Sequence, residues 1–132
     1  MEVQAHAAFG IFTGVLGLYL TGDWIFGVLL FVIQIGLVLD FLFKKHIHFE
    51  PLHTLMAGVI VWGISLLAFP AYHWAVFIGY FSHFFLDLFV DEKIPLLYPL
   101  NFHLNFPLPY SEDVVVWGSV FGTVATVILI IL

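Results

Sequence analysis

Long apolar runs separated by short polar interruptions dominate the chain, and within them apolar and polar residues do not alternate. A strand buried on one face would alternate, whereas a helix that crosses a bilayer needs about 17–25 mostly apolar residues. Five runs meet this requirement and predict helices over residues 4–20, 24–43, 51–69, 71–90 and 112–132. We therefore predict an all-α, polytopic membrane bundle of about five transmembrane helices, folded as one domain.

Turn and cap residues mark the ends of these predicted helices. Thr21-Gly22-Asp23 separates the first two. Pro51 would open the third, in a first turn where its missing N–H costs nothing, and Pro70 would close it. Ser111-Glu112-Asp113 would cap the fifth. Residues 91–110 contain four prolines, and we predict that this segment lies on the membrane surface or folds back against the bundle.

Composition supports a membrane location. Hydrophobic residues make up 63% of the chain and charged residues 9%, whereas about a quarter of a soluble domain is charged. The chain has no cysteine, which excludes disulfides and thiolate metal sites. Its net charge of −6 argues against a nucleic acid partner. Lys44, Lys45 and Lys93 fall in loops on the same side of five alternating helices, which predicts an N-terminus inside.

Ionisable residues that are far apart in the sequence fall at the predicted inner ends of the helices, namely His6, Asp40, His53, His83 and Asp87. Such residues are costly in a membrane and usually functional. His83 and Asp87 are four apart, so they share one helix face. Imidazole and carboxylate without thiolate suit Zn²⁺, Mn²⁺ or Fe²⁺, and zinc is the commonest choice for hydrolysis. A metal site is predicted here.

Two other interpretations of these residues remain open. A buried histidine often makes only a hydrogen bond between helices. A proton path also uses Asp and His, but it should continue across the membrane, and the outer halves of the predicted helices offer little that titrates besides Asp23 and His73.

The stretch Gly79-Tyr80-Phe81-Ser82-His83-Phe84-Phe85-Leu86-Asp87, followed by Pro95-Leu96-Leu97-Tyr98-Pro99, resembles a known signature. The YdjM-like membrane-bound metal-dependent hydrolases (the DUF457 family) show G-Y-x-S-H-x-x-x-D and then P-L-x-Y-P. His6 with Gly10 resembles their N-terminal His motif, and residues 48–54 have the spacing of their H-R-G-x-T-H-S element. The resemblance covers nearly the whole chain. It implies a multi-pass protein of a prokaryotic cytoplasmic membrane, and the orientation predicted from the lysines places its site on the cytoplasmic face.

That family is in turn similar to the zinc-dependent phospholipase C and S1/P1 nuclease group, which has an all-helical fold. Carried over by position, Asp40, His53, His83 and Asp87 would hold one Zn²⁺, and His6, with Asp87 as a bridge, would help to hold a second. His48 is a further candidate ligand. The chain departs from the family pattern in two places: Val38-Leu39-Asp40-Phe41-Leu42 keeps one Asp where the family has two, and Phe49 replaces an arginine.

The function implied is a metal-dependent hydrolase acting on a phosphoester at the level of the lipid headgroups. Glu50 is a candidate general base, against the alternative of a surface glutamate, and His103 is a candidate headgroup contact, against a solvated interfacial histidine. The partners expected are membrane lipid and a lipid phosphoester. The rival hypothesis is a non-catalytic membrane subunit or assembly partner with a structural or vestigial metal site, which the missing acidic residues favour.

Overall fold

The residues that the structure describes form five helices. The computed structural model describes residues 3–43, 54–89, 94–97, 100–104 and 112–132, with side chains over 4–37, 54–87 and 113–132. The helices are α1 (Val3–Thr21), α2 (Trp24–Phe43), α3 (Leu55–Ala68), α4 (His73–Phe89) and α5 (Glu112–Ile131), and two short strands, β1 (Ile94–Leu97) and β2 (Leu100–Leu104), lie between α4 and α5. The predicted helical class is therefore found, with one small hairpin added.

A tight turn at Gly22 joins α1 to α2. Gly22 has a φ of +67°, a left-handed conformation that glycine adopts without a Cβ penalty, and its N–H donates to Leu18 O at 2.8 Å. Asp23 then caps α2, because its Oδ1 accepts from the N–H of Ile25 at 2.8 Å. Both ends of the turn are thus satisfied within a few residues, as the Thr21-Gly22-Asp23 sequence suggested.

Glycines bring α1 and α2 into close antiparallel contact. A Cβ on Gly10 would lie 3.1 Å from Gln34 Cγ, and one on Gly14 would lie 2.9 Å from Gly27 O. Residue numbers therefore increase along α1 as those of the contacting residues on α2 decrease, as expected for antiparallel helices. The N-terminal end of α1 lies beside the C-terminal half of α2.

The helices pack in the spatial order α5, α1, α2, α4, α3, and α1 also touches α4. On α4, a Cβ at Gly79 would lie 3.2 Å from Ile33 Cβ of α2. On α3, a Cβ at Gly58 would lie 2.6 Å from the Tyr80 ring of α4. The contact between α1 and α4 closes one end of the bundle, and the candidate site lies there.

The third helix begins later than the sequence suggested. Thr54 is extended (φ −109°, ψ 151°), and its Oγ1 accepts from Ala57 N at 3.1 Å, so it is the N-cap and Leu55 opens α3. Pro51, the predicted first-turn residue, lies outside the described residues. Similarly, α4 begins at His73 rather than at residue 71.

The proline-containing segment between α4 and α5 contains an antiparallel pair of strands. Ile94 pairs with Leu104, Pro95 with His103 and Leu97 with Leu100, and the register shifts between Pro95 and Leu97. Strand β1 contacts α3. Within the described part of this segment, β1 thus lies against a helix, in a pair of strands that the sequence analysis did not predict.

Within the described residues, one helix is long and apolar enough to cross a membrane, Asp113–Ile131 with 19 residues. Shorter apolar helical stretches are Trp24–Leu37 and Leu55–Ala68.

Candidate metal centre

His6 lies near the start of α1, on the side that meets α4. Only 4% of the residue is exposed, and the neighbouring Ala5 is fully buried. The glycine contacts hold α1 against α2, and His6 meets α4 through Asp87.

His83 and Asp87 come from one face of α4. His83 Nε2 lies 3.3 Å from Asp87 Oδ2, as expected for residues four apart on a helix. His6 Nε2 lies 2.8 Å from the other carboxylate oxygen, Asp87 Oδ1. Each oxygen of Asp87 therefore faces one imidazole, and the carboxylate links α1 to α4 across 77 to 81 residues of sequence.

The two imidazole rings also touch each other. Their centroids are 4.4 Å apart with an interplanar angle of 27°, so the rings stack. His83 and Asp87 are 5% and 7% exposed. We name His6, His83 and Asp87 the inner cluster.

The donor atoms of the inner cluster are compatible with one divalent ion. One ligand atom from each residue can be chosen so that all three lie within 4.8 Å of one another. Two ligands on a tetrahedral zinc ion with bonds of about 2.1 Å lie about 3.4 Å apart. The two imidazole nitrogens lie 2.8 and 3.3 Å from the carboxylate, each from a different oxygen, and these separations are near this value. Two nitrogens and a carboxylate oxygen are a donor set that zinc accepts.

The second ring nitrogen of His6, Nδ1, is buried without a hydrogen-bond acceptor or donor among the described residues. A metal-bound imidazole usually donates its second N–H to an acceptor.

The structure brings together three of the predicted ligands. Asp40 lies on the last turn of α2, and its side chain is outside the described part. His48, Glu50 and His53 lie outside the described residues. His103 lies on β2 with Pro95 as its Cα partner, and its side chain too is outside the described part. Their roles as ligands, base or headgroup contact stay predictions.

Sequence reasoning missed two long-range hydrogen bonds that involve neither histidine nor aspartate. Gln34, in the apolar α2, is fully buried, and its Oε1 accepts from Ser82 Oγ at 3.0 Å. The phenol of Tyr80 donates to Thr54 O at 3.4 Å. The signal for Gln34 was available, because it is the one amide in a run of apolar residues from Trp24 to Leu39.

Asp23 and His73 lie far from the inner cluster. Asp23 is 17 residues beyond His6, which is about 25 Å along a helix. Partial burial and the nearby, hydrogen-bonded Asp23 carboxylate raise the pKa of the Tyr72 phenol. His73 Nδ1 pairs with Pro70 O at 2.7 Å, and its ring lies beside Trp62 and Trp74. These residues form a separate polar and aromatic end.

No protein-family model, no curated protein and no solved structure matches the chain.

Proposed function

We propose that the chain is a polytopic membrane protein in which all five helices cross the bilayer. The distribution of polar residues supports this. Among the residues whose side chains are described, eight buried residues are polar or charged and five are hydrophobic. Meanwhile, large apolar side chains are exposed on every helix, such as Leu20, Val32, Leu67, Phe85 and Phe121. Soluble monomers rarely expose large contiguous apolar patches, whereas lipid covers such surfaces.

Hydroxyl groups support the same proposal. Six donate to a carbonyl three or four residues earlier in their own helix, namely Thr13, Thr21, Ser65, Ser82, Thr123 and Thr126. Where no water is present, a hydroxyl must find its acceptor within the protein, and the preceding turn offers one. The lysines at positions 44, 45 and 93 favour an orientation with the N-terminus and the inner cluster on the cytoplasmic side.

We infer that the protein is a metal-dependent hydrolase. The observation that carries this proposal is the convergence of His6, His83 and Asp87 from two helices on one buried point. A divalent ion there would supply Lewis acidity and a water activated near neutral pH. The two imidazoles would bind through Nε2, and the carboxylate would balance part of the charge. By the family resemblance, Asp40 and His53 would bind the same ion as His83 and Asp87, and His6 would help to hold a second ion bridged by Asp87. Glu50, beside these ligands in the sequence, is the candidate to take the proton.

The position of the inner cluster suggests the substrate class. His6 lies near the N-terminal end of α1, and His83 and Asp87 lie in the second half of α4, so the cluster is close to one end of the helices. In a bilayer this end lies near the lipid headgroups. A phosphoester of a membrane lipid reaches this depth without leaving the membrane, and His103 remains a candidate headgroup contact.

One observation favours the non-catalytic alternative. The cluster residues are at least 93% buried and pair with one another, which is typical of a site closed around a structural ion. A catalytic zinc keeps an open coordination position, whereas a structural zinc is closed by four protein ligands. Access of a small exchangeable ligand to the bound metal therefore separates the two functions.

The test begins with metal content. Protein purified in mild detergent without chelator is compared with Asp87→Asn and with His73→Ala, a control that removes a histidine distant from the cluster. We expect about one equivalent of zinc in the wild type and in His73→Ala, and none in Asp87→Asn. Lipid phosphoesters are then screened for metal-dependent hydrolysis. A metal-free wild type would refute the proposal, and bound zinc without any hydrolysis would favour the structural role.

A further inference from the structure

Gln34 is a polar amide in a fully buried, largely apolar position. The residue is fully inaccessible to solvent, and its neighbours along α2 are apolar. Its Nε2 has no hydrogen-bond partner among the described residues. A buried amide that is only partly paired destabilises a fold relative to an apolar residue of the same shape. Stability alone therefore does not account for Gln34.

Among the described residues, Gln34 has one side-chain hydrogen bond, and its donor is shared. Ser82 Oγ lies 3.0 Å from Gln34 Oε1 and 3.0 Å from Gly79 O, the carbonyl three residues earlier in its own helix. A hydroxyl has a single proton, so its interaction with Gln34 is made in competition with the local one. The contact constrains the orientation of α4 relative to α2, because it joins one residue on each helix.

That point on α4 is next to the inner cluster. Ser82 directly precedes His83, and consecutive residues on a helix are about 100° apart. Ser82 meets α2, while His83 and Asp87 meet His6 of α1. The rotation of α4 about its own axis therefore decides whether both contacts form together. A rotation that separates Ser82 from Gln34 also turns Asp87 away from His6.

Gln34 contacts α1 as well. A Cβ on Gly10 would lie 3.1 Å from Gln34 Cγ, and Gly10 is one turn beyond His6. Gln34 thus lies where α1, α2 and α4 meet, about one turn from the inner cluster.

We propose that Gln34 is a positioning residue for the inner cluster, which it serves through the Ser82 contact by setting the rotation of α4. The metal part of this inference rests on the proposed function, while the alignment of His6 with Asp87 does not. Replacing Gln34 with leucine removes a partly paired amide and the rotational constraint at once. The metal-free protein should then be as stable as the wild type or more so, while its metal affinity falls by about tenfold, the lower end for loss of residues that orient metal ligands.

The first measurement pairs zinc affinity, from competition with a chromogenic chelator in micelles, with thermal unfolding of the metal-free protein. Gln34→Leu and Ser82→Ala should both bind zinc about tenfold more weakly than the wild type, by the same precedent. Ser82→Thr, which keeps the hydroxyl, should retain the affinity. Ser65→Ala is the matched control, because Ser65 also donates to a carbonyl three residues back (Trp62 O, 2.7 Å) but lies on α3.

A second measurement needs no metal. The imidazole nitrogens of His6 and His83 are followed by ¹⁵N NMR in labelled, metal-free protein, with assignments from single histidine variants. Gln34→Leu should shift the Nε2 signals that report the contacts with Asp87, and Ser65→Ala should leave them unchanged.

The two measurements distinguish failure of the hydrolase proposal from failure of the positioning role of Gln34. If the wild type binds no zinc but the imidazole signals respond to Gln34→Leu, the hydrolase proposal fails and the positioning role of Gln34 stands. If zinc affinity and imidazole signals are both unchanged in Gln34→Leu, the positioning role is wrong even though the metal site is real. Equal losses of stability and affinity would also overturn it, because they would show that Gln34 only holds the fold together.

Discussion

The crossing of α1 and α2 at Gly14 and Gly27 offers a sharp test of the packing that holds His6 in place. A Cβ added at Gly27 would lie 2.6 Å from Gly14 O, and backbone oxygens cannot rotate away. Ordinary contact begins at 3.4 Å, so Gly27→Ala must separate the helices by about 0.8 Å, the difference of the two distances. Such overpacking costs about 1–3 kcal/mol.

Gly36→Ala on the same helix is the matched control. A Cβ at Gly36 meets nothing within 4 Å, so this substitution should be neutral or stabilise the helix by up to about 1 kcal/mol. The two alanine variants should therefore differ by about 1–4 kcal/mol. The free energy of unfolding is measured in mixed micelles by circular dichroism as SDS is added. If Gly27→Ala is as stable as Gly36→Ala, the close crossing is wrong.

Two further predictions address other helix ends and pairs. Gly58→Ala should destabilise the protein by about 1–3 kcal/mol, because the added Cβ would lie 2.6 Å from the Tyr80 ring. Gly63→Ala on the same helix is the control, because its Cβ meets nothing within 4 Å. Thermal unfolding compares the two variants, and equal melting temperatures would contradict the α3–α4 packing. Asp23→Asn should lower the pKa of Tyr72, because the phenolate would then no longer form beside a carboxylate. Ultraviolet titration, with Tyr72→Phe as the baseline, measures the pKa of the Tyr72 phenol. An unchanged pKa would show that the two groups do not interact.

The helices were largely predictable because single residues define their ends. Gly22 and Asp23 end α1 and begin α2 through hydrogen bonds to residues at most four positions away. Because these contacts are local, the sequence alone is enough to predict both helix ends. The start of α3 was not recognised, since Pro51 and Thr54 are both acceptable near a helix start and the local sequence does not rank them. The α3 Thr54 cap was visible only in the structure, where Thr54 also meets Tyr80 of α4.

The hairpin was missed for a different reason. Pro95 has no N–H to donate, and prolines are depleted in strands, so the segment reads as irregular. Its pairing with His103 depends on contacts between strands and on packing of β1 against α3, which are not local properties of the sequence.

The inner cluster was partly accessible from the sequence. The i, i+4 spacing places His83 and Asp87 on one face by helix geometry alone. The approach of His6 was inferred from its depth, and the structure adds the reason, which is the glycine-mediated packing of α1 and α2. Gln34 and Ser82 were not recognised as neighbours of the cluster, because a search for ionisable residues passes over amides and hydroxyls.

The central claim is that His6, His83 and Asp87 bind one divalent ion between α1 and α4. Zinc K-edge X-ray absorption on wild-type protein purified without chelator tests it most directly. We expect a shell of nitrogen and oxygen at about 2.0–2.1 Å with outer-shell imidazole scattering, and the loss of one imidazole in His6→Ala. An absent zinc edge, or a spectrum that His6→Ala leaves unchanged, would contradict the claim.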